Sequence, residues 1–408
     1  MIADRTIADR SRLFLMPALG ALTAMAPMAT DMYLPGLPAL ADDLAISPTS
    51  AQLTLSAFFF GFGGGQLLYG PLADRFGRRV PLLVGLVLFT GASLGCALAH
   101  SVDTLIVLRF LQALGGGAGP VLARASVRDL FGAGDRAART LSTMVLIMGA
   151  APLFAPLIGG QLLLIGGWRA IFVALSAFGA VCLVAVVLVL GETLPADQRL
   201  RVSAVGMIRS YGLLIGNRRY LGFALAAASI TAGLFAYLTG SPFVFIKLYG
   251  VPAEDFGFLF AINVAGLLLG ASINRRLVMR VGAHRLLSYA LKVAAAAGLC
   301  LLAVALIGRG GLVALFVPLW CYISCMGFIG ANAMACGLSL FPERAGTASA
   351  LTGTLQFSIG ALSGALVGLF NNGTALPMAA MIAIAGVSGL LIQRRLAPVA
   401  PPAPRRGI

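Results

Sequence analysis

Of the 14 acidic residues in this sequence, Asp31 is the one that falls inside a long apolar run, in the stretch APMATDMYLPGLPAL. A carboxylate in that setting can take up and release a proton. Placing an aspartate at the centre of a membrane helix costs roughly 2.5 to 3.5 kcal/mol, so such a group is read first as functional and its partner is sought. Burial and a neighbouring guanidinium act on a carboxylate's proton affinity in opposite directions, so a change of hydration or of partner would load or discharge it. Arg109, in LRFLQALGGGAGP, is the expected partner. The plainer alternative is that Asp31 caps its helix at the outer interface.

The elements that must hold such a pair follow from composition. The chain has 408 residues, 59% hydrophobic and 11% charged, with a mean hydropathy of +0.96, more apolar surface than an ordinary globular interior can hide. Twelve runs are long enough to cross roughly 30 Å of hydrocarbon as helices. They cover about 12–34, 50–70, 80–99, 104–126, 140–163, 169–190, 220–243, 256–274, 284–307, 312–336, 346–370 and 375–393. The expected fold is therefore all-α and integral to the membrane.

The formal charge of +15 would suggest nucleic acid in a soluble protein, but its distribution follows membrane topology. Arginines crowd the N-terminus, the even-numbered loops and the tail, as in Arg75, Arg78 and Arg79 or Arg275, Arg276 and Arg280, whereas the odd-numbered loops hold Arg169, Lys247 and Arg309. By the positive-inside rule both termini are cytoplasmic, and an even number of spans agrees. Lys292 is a further cation inside an apolar run, read as snorkelling or packing. The six cysteines sit in apolar runs and read as small core residues, and two histidines cannot make a metal site alone.

The long polar connector from about Gly191 divides the spans six and six. The expected layout is a six-helix bundle over 1–190, a cytoplasmic linker over 191–219, a second bundle over 220–394 and a cytoplasmic tail over 395–408. GPLADRFGRR after the second span has an echo in GASINRRLVMR after the eighth, with Gly70, Asp74 and Arg75 mapping onto Gly270, Asn274 and Arg275. Fused parallel halves with a site near the midplane are one repeat arrangement of secondary transporters.

GPLADRFGRR also resembles the G-x-x-x-D-R-x-G-R-R loop of the major facilitator superfamily, at Gly70, Asp74, Arg75, Gly77, Arg78 and Arg79. The resemblance implies a conformational latch at the inner face, with Asp74 accepting hydrogen bonds from cations of the fourth or eleventh span in one state. GAAPLFAPLIGG in the fifth span is similar to the glycine and proline signature of the superfamily's proton-coupled exporters, through Gly149, Pro156, Gly159 and Gly160, with Ala155 where a glycine is usual. Arg109, Gln112 and Gly115 match its fourth-span signature. With TDMYLPGLPAL and ERAGTASALTG, the chain resembles the bicyclomycin and chloramphenicol resistance (Bcr/CflA) branch of bacterial drug:proton antiporters over essentially its whole length.

That resemblance implies a monomeric multi-pass protein of the bacterial inner membrane, expelling small amphipathic antibiotics against protons, without a cofactor or metal and with no nucleic-acid partner. Some relatives carry a glutamate two turns before the first-span aspartate; here Thr23 stands in that region. Candidate substrate contacts are Tyr33, Gln52, Gln112, Tyr237, Asn263, Asn332 and Gln356, each of which could equally make helix-to-helix hydrogen bonds. Phe58, Phe59, Phe60 and Phe235 offer an aromatic wall or face lipid. No Walker A lysine is present, which excludes an internal ATPase. An integral membrane enzyme would need converging acids, histidines or metal ligands. The remaining alternative is a carrier of a natural metabolite, either exporter or importer.

Overall fold

The computed structural model describes residues 2–131, 135–195, 199, 211–341 and 344–398. Much of the expected linker, the end of the tail and Glu343 lie outside the described residues. The helices are α1 (Ile2–Asp31), α2 (Leu37–Asp43), α3 (Pro48–Phe76), α4 (Arg79–Ala97), α5 (Val102–Gly116), α6 (Ala118–Phe131) and α7 (Asp135–Val189). They continue with α8 (Arg218–Pro242), α9 (Phe256–Val281), α10 (Ala283–Ile307), α11 (Gly311–Leu338), α12 (Ala345–Leu369) and α13 (Leu376–Leu396). No strand occurs among the described residues.

Local chemistry sets several starts. Ser47 accepts a hydrogen bond from the Ser50 amide ahead of α3, Ser101 from the Thr104 amide ahead of α5, and Asn217 from the Tyr220 amide ahead of α8. Each satisfies a donor that a helix N-terminus leaves free. Residues 146–189 of α7 are two membrane crossings, broken at Gly167, whose φ of 66° lies where a side chain is disfavoured. α5 and α6 form one crossing, Val102–Phe131.

Among the described residues, nine helical stretches are long and apolar enough to cross a bilayer. Counting α7 as two crossings and adding α1 and α3 gives the twelve expected from the sequence. Packing runs within two sets: α1 and α3 to α7 contact one another, as do α8 to α13. Across the sets, α3 packs on α12 and α7 on α9. The bundle has an arginine-rich end, at Arg75, Arg78 and Arg79, and an arginine-poor end, where α1 passes through α2 into α3.

Candidate functional site

Asp31 is the last residue of α1 and is 5% exposed. A helix C-terminus presents carbonyl acceptors and the negative end of the dipole, so a carboxylate neither caps it nor gains from it. Its Oδ1 lies 2.8 Å from the Thr30 hydroxyl. That hydroxyl also lies 2.9 Å from the Ala26 carbonyl. One hydroxyl proton serves one strong acceptor at a time, so the charge on Asp31 and the hydrogen bond back into α1 compete.

The expected ion pair with Arg109 is not formed. Arg109 is fully buried, donates from Nη1 to the Ala29 carbonyl at 3.1 Å and to Gln112 Oε1 at 2.6 Å, and makes no ion pair among the described residues. Its guanidinium instead lies 4.3 Å from the Phe58 ring centre, 4.6 Å from Tyr33 and 5.5 Å from Phe172. Three ring faces supply part of the electrostatic compensation that a carboxylate would give, at about 2 kcal/mol for a well-placed desolvated ring. Nε and Nη2 remain without hydrogen-bond partners. The guanidinium reaches the carbonyl of Ala29, two residues from Asp31, and turns away from the carboxylate.

Tyr237 lies on α8, in the opposite set of helices. Tyr237 is buried, accepts a hydrogen bond from Asn263 Nδ2 at 3.2 Å and stacks on Phe260 at 5.7 Å. The Oδ1 of Asn263 has no partner. Farther along α3, Phe59 stacks on Phe235 at 4.0 Å, and Phe357 meets Phe62 at 4.9 Å and Phe235 at 5.5 Å, so aromatic rings from both sets form a wall at the interface. Phe58 belongs to the Arg109 cage, and Phe60 is 45% exposed on the outside of the bundle.

The other expected substrate contacts disperse. Tyr33 forms a face of the Arg109 cage and shares a 2.8 Å hydrogen bond with Thr54. Gln112 links Arg109 to Ser93, donating to its Oγ at 2.7 Å. Asn332 donates to Asn274 Oδ1 at 2.7 Å, joining α11 to α9. Asn274 is the echo of Asp74, so in the second set the corresponding position is a neutral amide pair. Gln52 bonds across the two sets near the arginine-poor end. Gln356 is half-buried on α12, next to Phe357 in sequence.

At the arginine-rich end the acid and the cation exchange places relative to expectation. Asp74 accepts from Arg78 Nη1 at 2.6 Å, within its own loop, and Arg78 Nε reaches Asp129 at the end of the fourth crossing at 2.9 Å. The fourth span therefore supplies an acid, and Arg78 is the bridge. Gly77 between them has a φ of 91°, and a Cβ there would strike the Glu192 carboxylate. Glu192 accepts from the Arg78 amide at 2.8 Å, the Leu194 amide at 3.0 Å and the Arg79 amide at 3.4 Å, with Arg199 Nη2 at 3.7 Å. Burial alone would raise its proton affinity, but the Leu194, Arg78 and Arg79 amides and the Arg199 cation outweigh that and hold it below the ordinary carboxylate value. Gly70 has nothing within 4 Å of where a Cβ would stand. Arg75 lies over its neighbour Phe76, 5.2 Å from the ring centre, and Arg79 donates to the Val187 carbonyl at 3.0 Å.

The glycines of α7 are not equivalent. A Cβ on Gly159 would strike the carbonyl of Met32, the residue after Asp31, and one on Gly160 would stand 3.0 Å from the Glu254 Cα in the other set. At Gly149 the first neighbour is Leu268 Cδ2 at 3.7 Å, an ordinary contact. Pro156 is buried one turn before this close approach. No group of metal-binding side chains occurs among the described residues.

A family model described as Major Facilitator Superfamily matches residues 19–365. An uncharacterized MFS-type transporter of Bacillus subtilis, YdgK, is 37% identical over 94% of this chain and 95% of its own. A bicyclomycin resistance protein homolog of Haemophilus influenzae is 35% identical over 91% of this chain and 92% of its own. Among solved structures, a D-xylose-proton symporter superposes with a TM-score of 0.72 at 16% identity, covering 94% of this chain and 98% of its own, a likeness of fold alone.

Proposed function

The chain belongs to the major facilitator superfamily, and from that membership we propose that it is a proton-coupled exporter of small amphipathic drugs, of the bicyclomycin and chloramphenicol kind, working by alternating access. The observation that carries the reading is Asp31: a buried carboxylate on the first crossing, held by the Thr30 hydroxyl and without an ion pair among the described residues. The similarity to a bicyclomycin resistance homolog supports the substrate class.

In this reading Asp31 is the proton site. When it is charged, the Thr30 hydroxyl donates to it; when it is protonated, it can donate in return and the Thr30 hydroxyl turns back to the Ala26 carbonyl. Arg109, in its aromatic cage, holds α5 against α1 at Ala29 and positions the site without neutralising it. Drug and proton favour different states of the interface and displace one another by linkage, so a proton moving inward drives a drug outward. The aromatic wall of Phe59, Phe235 and Phe357 suits an uncharged or singly charged amphipathic molecule, and one carboxylate fits exchange for few protons.

The same reading places the arginine-rich end in the cytoplasm of a bacterial inner membrane, with two bundles over 1–190 and 220–394 rocking about a midplane site in a monomer. The chain is then a transporter rather than an enzyme, driven by the proton gradient with no resident cofactor.

Transport in proteoliposomes with an imposed pH gradient tests it. The wild type should accumulate labelled chloramphenicol or bicyclomycin, and Asp31→Asn should abolish gradient-driven accumulation at equal reconstitution. Full accumulation by Asp31→Asn would remove the proton-site assignment. Failure of every drug to compete, with a metabolite transported instead, would replace the substrate class.

A further inference from the structure

Side-chain hydrogen bonds join the two sets of helices at the arginine-poor end. Gln52 Nε2 donates to the Thr239 carbonyl at 3.0 Å, and its Oε1 lies 3.5 Å from Asn371 Nδ2. Thr49 donates to the Gly368 carbonyl at 2.7 Å, and Lys247 pairs with Asp42 at 2.5 Å. These contacts differ in weight. Lys247 and Asp42 have side chains 50% and 64% exposed, where an ion pair adds little. Gln52 is 1% exposed, and a buried amide that loses its partner is costly.

Outside Gln52 lies a cavity of about 360 Å³, walled by Asp42 and Pro48 from one set and by Phe243, Lys247, Asn371 and Met378 from the other. One turn inward from Gln52 the sets are again in close contact, because a Cβ on Gly364 would stand 3.3 Å from Ser56 Oγ across the interface. Gln52 thus stands at the inner wall of the cavity, with its hydrogen bonds across the two sets.

We propose that Gln52 is the pin of the outer gate, a positioning residue that holds the two sets shut at the arginine-poor end through Thr239 and Asn371, with Thr49 and Gly368 as its second fastening. Breaking the pin shifts the resting population towards the state open at that end. This inference rests on alternating access and on the arginine-poor end facing outward, and not on the drug reading, so its test measures accessibility rather than export.

The test labels two introduced cysteines with a membrane-impermeant cationic methanethiosulfonate, read position by position by peptide mass spectrometry so that the native cysteines stay in place. Ser56→Cys, beneath the gate, is labelled from outside in whole cells. Gln66→Cys is labelled from the other side in inverted vesicles; Gln66 stands about 15 Å beyond Ser56 along α3, with its Oε1 3.3 Å from where a Cβ on Gly353 would lie across the interface. In the Gln52→Leu background, labelling at position 56 should rise about tenfold while that at position 66 falls several-fold. Thr49→Val should do the same more weakly and serves if Gln52→Leu does not assemble. Unchanged rates overturn the proposal, and so does a rise at both positions, which would mean general loosening.

Discussion

Arg109 donates to the carbonyl of Ala29 at 3.1 Å, not to the carboxylate of Asp31 two residues on. A fully buried cation with Nε and Nη2 unpartnered and no ion pair among the described residues is held there at the expense of stability. Arg109→Met keeps much of the volume and removes the charge, so thermal unfolding in detergent should occur at the wild-type temperature or above, within about 1 kcal/mol of stability. Gradient-driven export should nevertheless fall at least tenfold. A large loss of thermal stability would show that the cage and the Ala29 bond outweigh the desolvation of the guanidinium.

Thr30 offers one hydroxyl proton to two acceptors, Asp31 Oδ1 at 2.8 Å and the Ala26 carbonyl at 2.9 Å. Thr30→Val removes the donor to charged Asp31 and leaves the uncharged form little affected. A hydrogen bond to a charged group contributes about 1.5 to 3 kcal/mol, and one pH unit corresponds to about 1.36 kcal/mol. The pH profile of export should therefore move to the alkaline side by about one to two units, with the maximal rate retained. An unmoved profile would mean that Thr30 serves α1 alone.

Gly159 and Gly149 belong to one sequence signature, yet they meet different surroundings. Gly159→Ala drives a methyl group into the Met32 carbonyl, backbone against backbone, and overpacking of that kind costs about 1 to 3 kcal/mol. Because Met32 follows Asp31, the shift falls on the proposed proton site. Export should drop severely in Gly159→Ala and stay near wild type in Gly149→Ala, where the new methyl meets Leu268 Cδ2 at 3.7 Å. Equal transport by both variants would contradict the assignment of the tight contact.

Depth and span number were legible in the sequence because hydropathy is a property of position along the chain. Asp31 stood out among the acids, Arg109 was its expected partner, and the Asp74 loop and Gly159 were marked by their resemblance to the superfamily's signatures. Rotation about each helix axis was not legible. It decides that Arg109 turns to Phe58 and Tyr33, that Asn332 turns to Asn274, and that Gln52 bonds the facing set. The contacts of Glu192 and of Asp43, which receives hydrogen bonds from Trp168 at 3.0 Å and Arg169 at 2.5 Å, were missed for another reason. Their partners are far away in sequence, and a loop acid carries no hydropathy signal.

Glu192 ties the start of the polar connector to the turn at Gly77, receiving the amides of Arg78, Arg79 and Leu194. Its carboxyl is held below the ordinary value of 4.5. A group depressed in the folded state contributes stability above its unfolded value and loses it as the pH falls through the folded one. The clasp is therefore intact at neutral pH and releases only below about pH 4.5. Hydrogen exchange corrected for intrinsic rate should find the amides of Arg78, Arg79 and Leu194 protected at pH 7 and unprotected in strong acid. Glu192→Gln, which keeps an acceptor oxygen but loses the charge and the attraction to Arg199, should expose the same amides at pH 7 while leaving the interior of α4 protected. Exchange unchanged by the substitution would show that the turn is held by Gly77 and the bond of Arg78 to Asp129 instead.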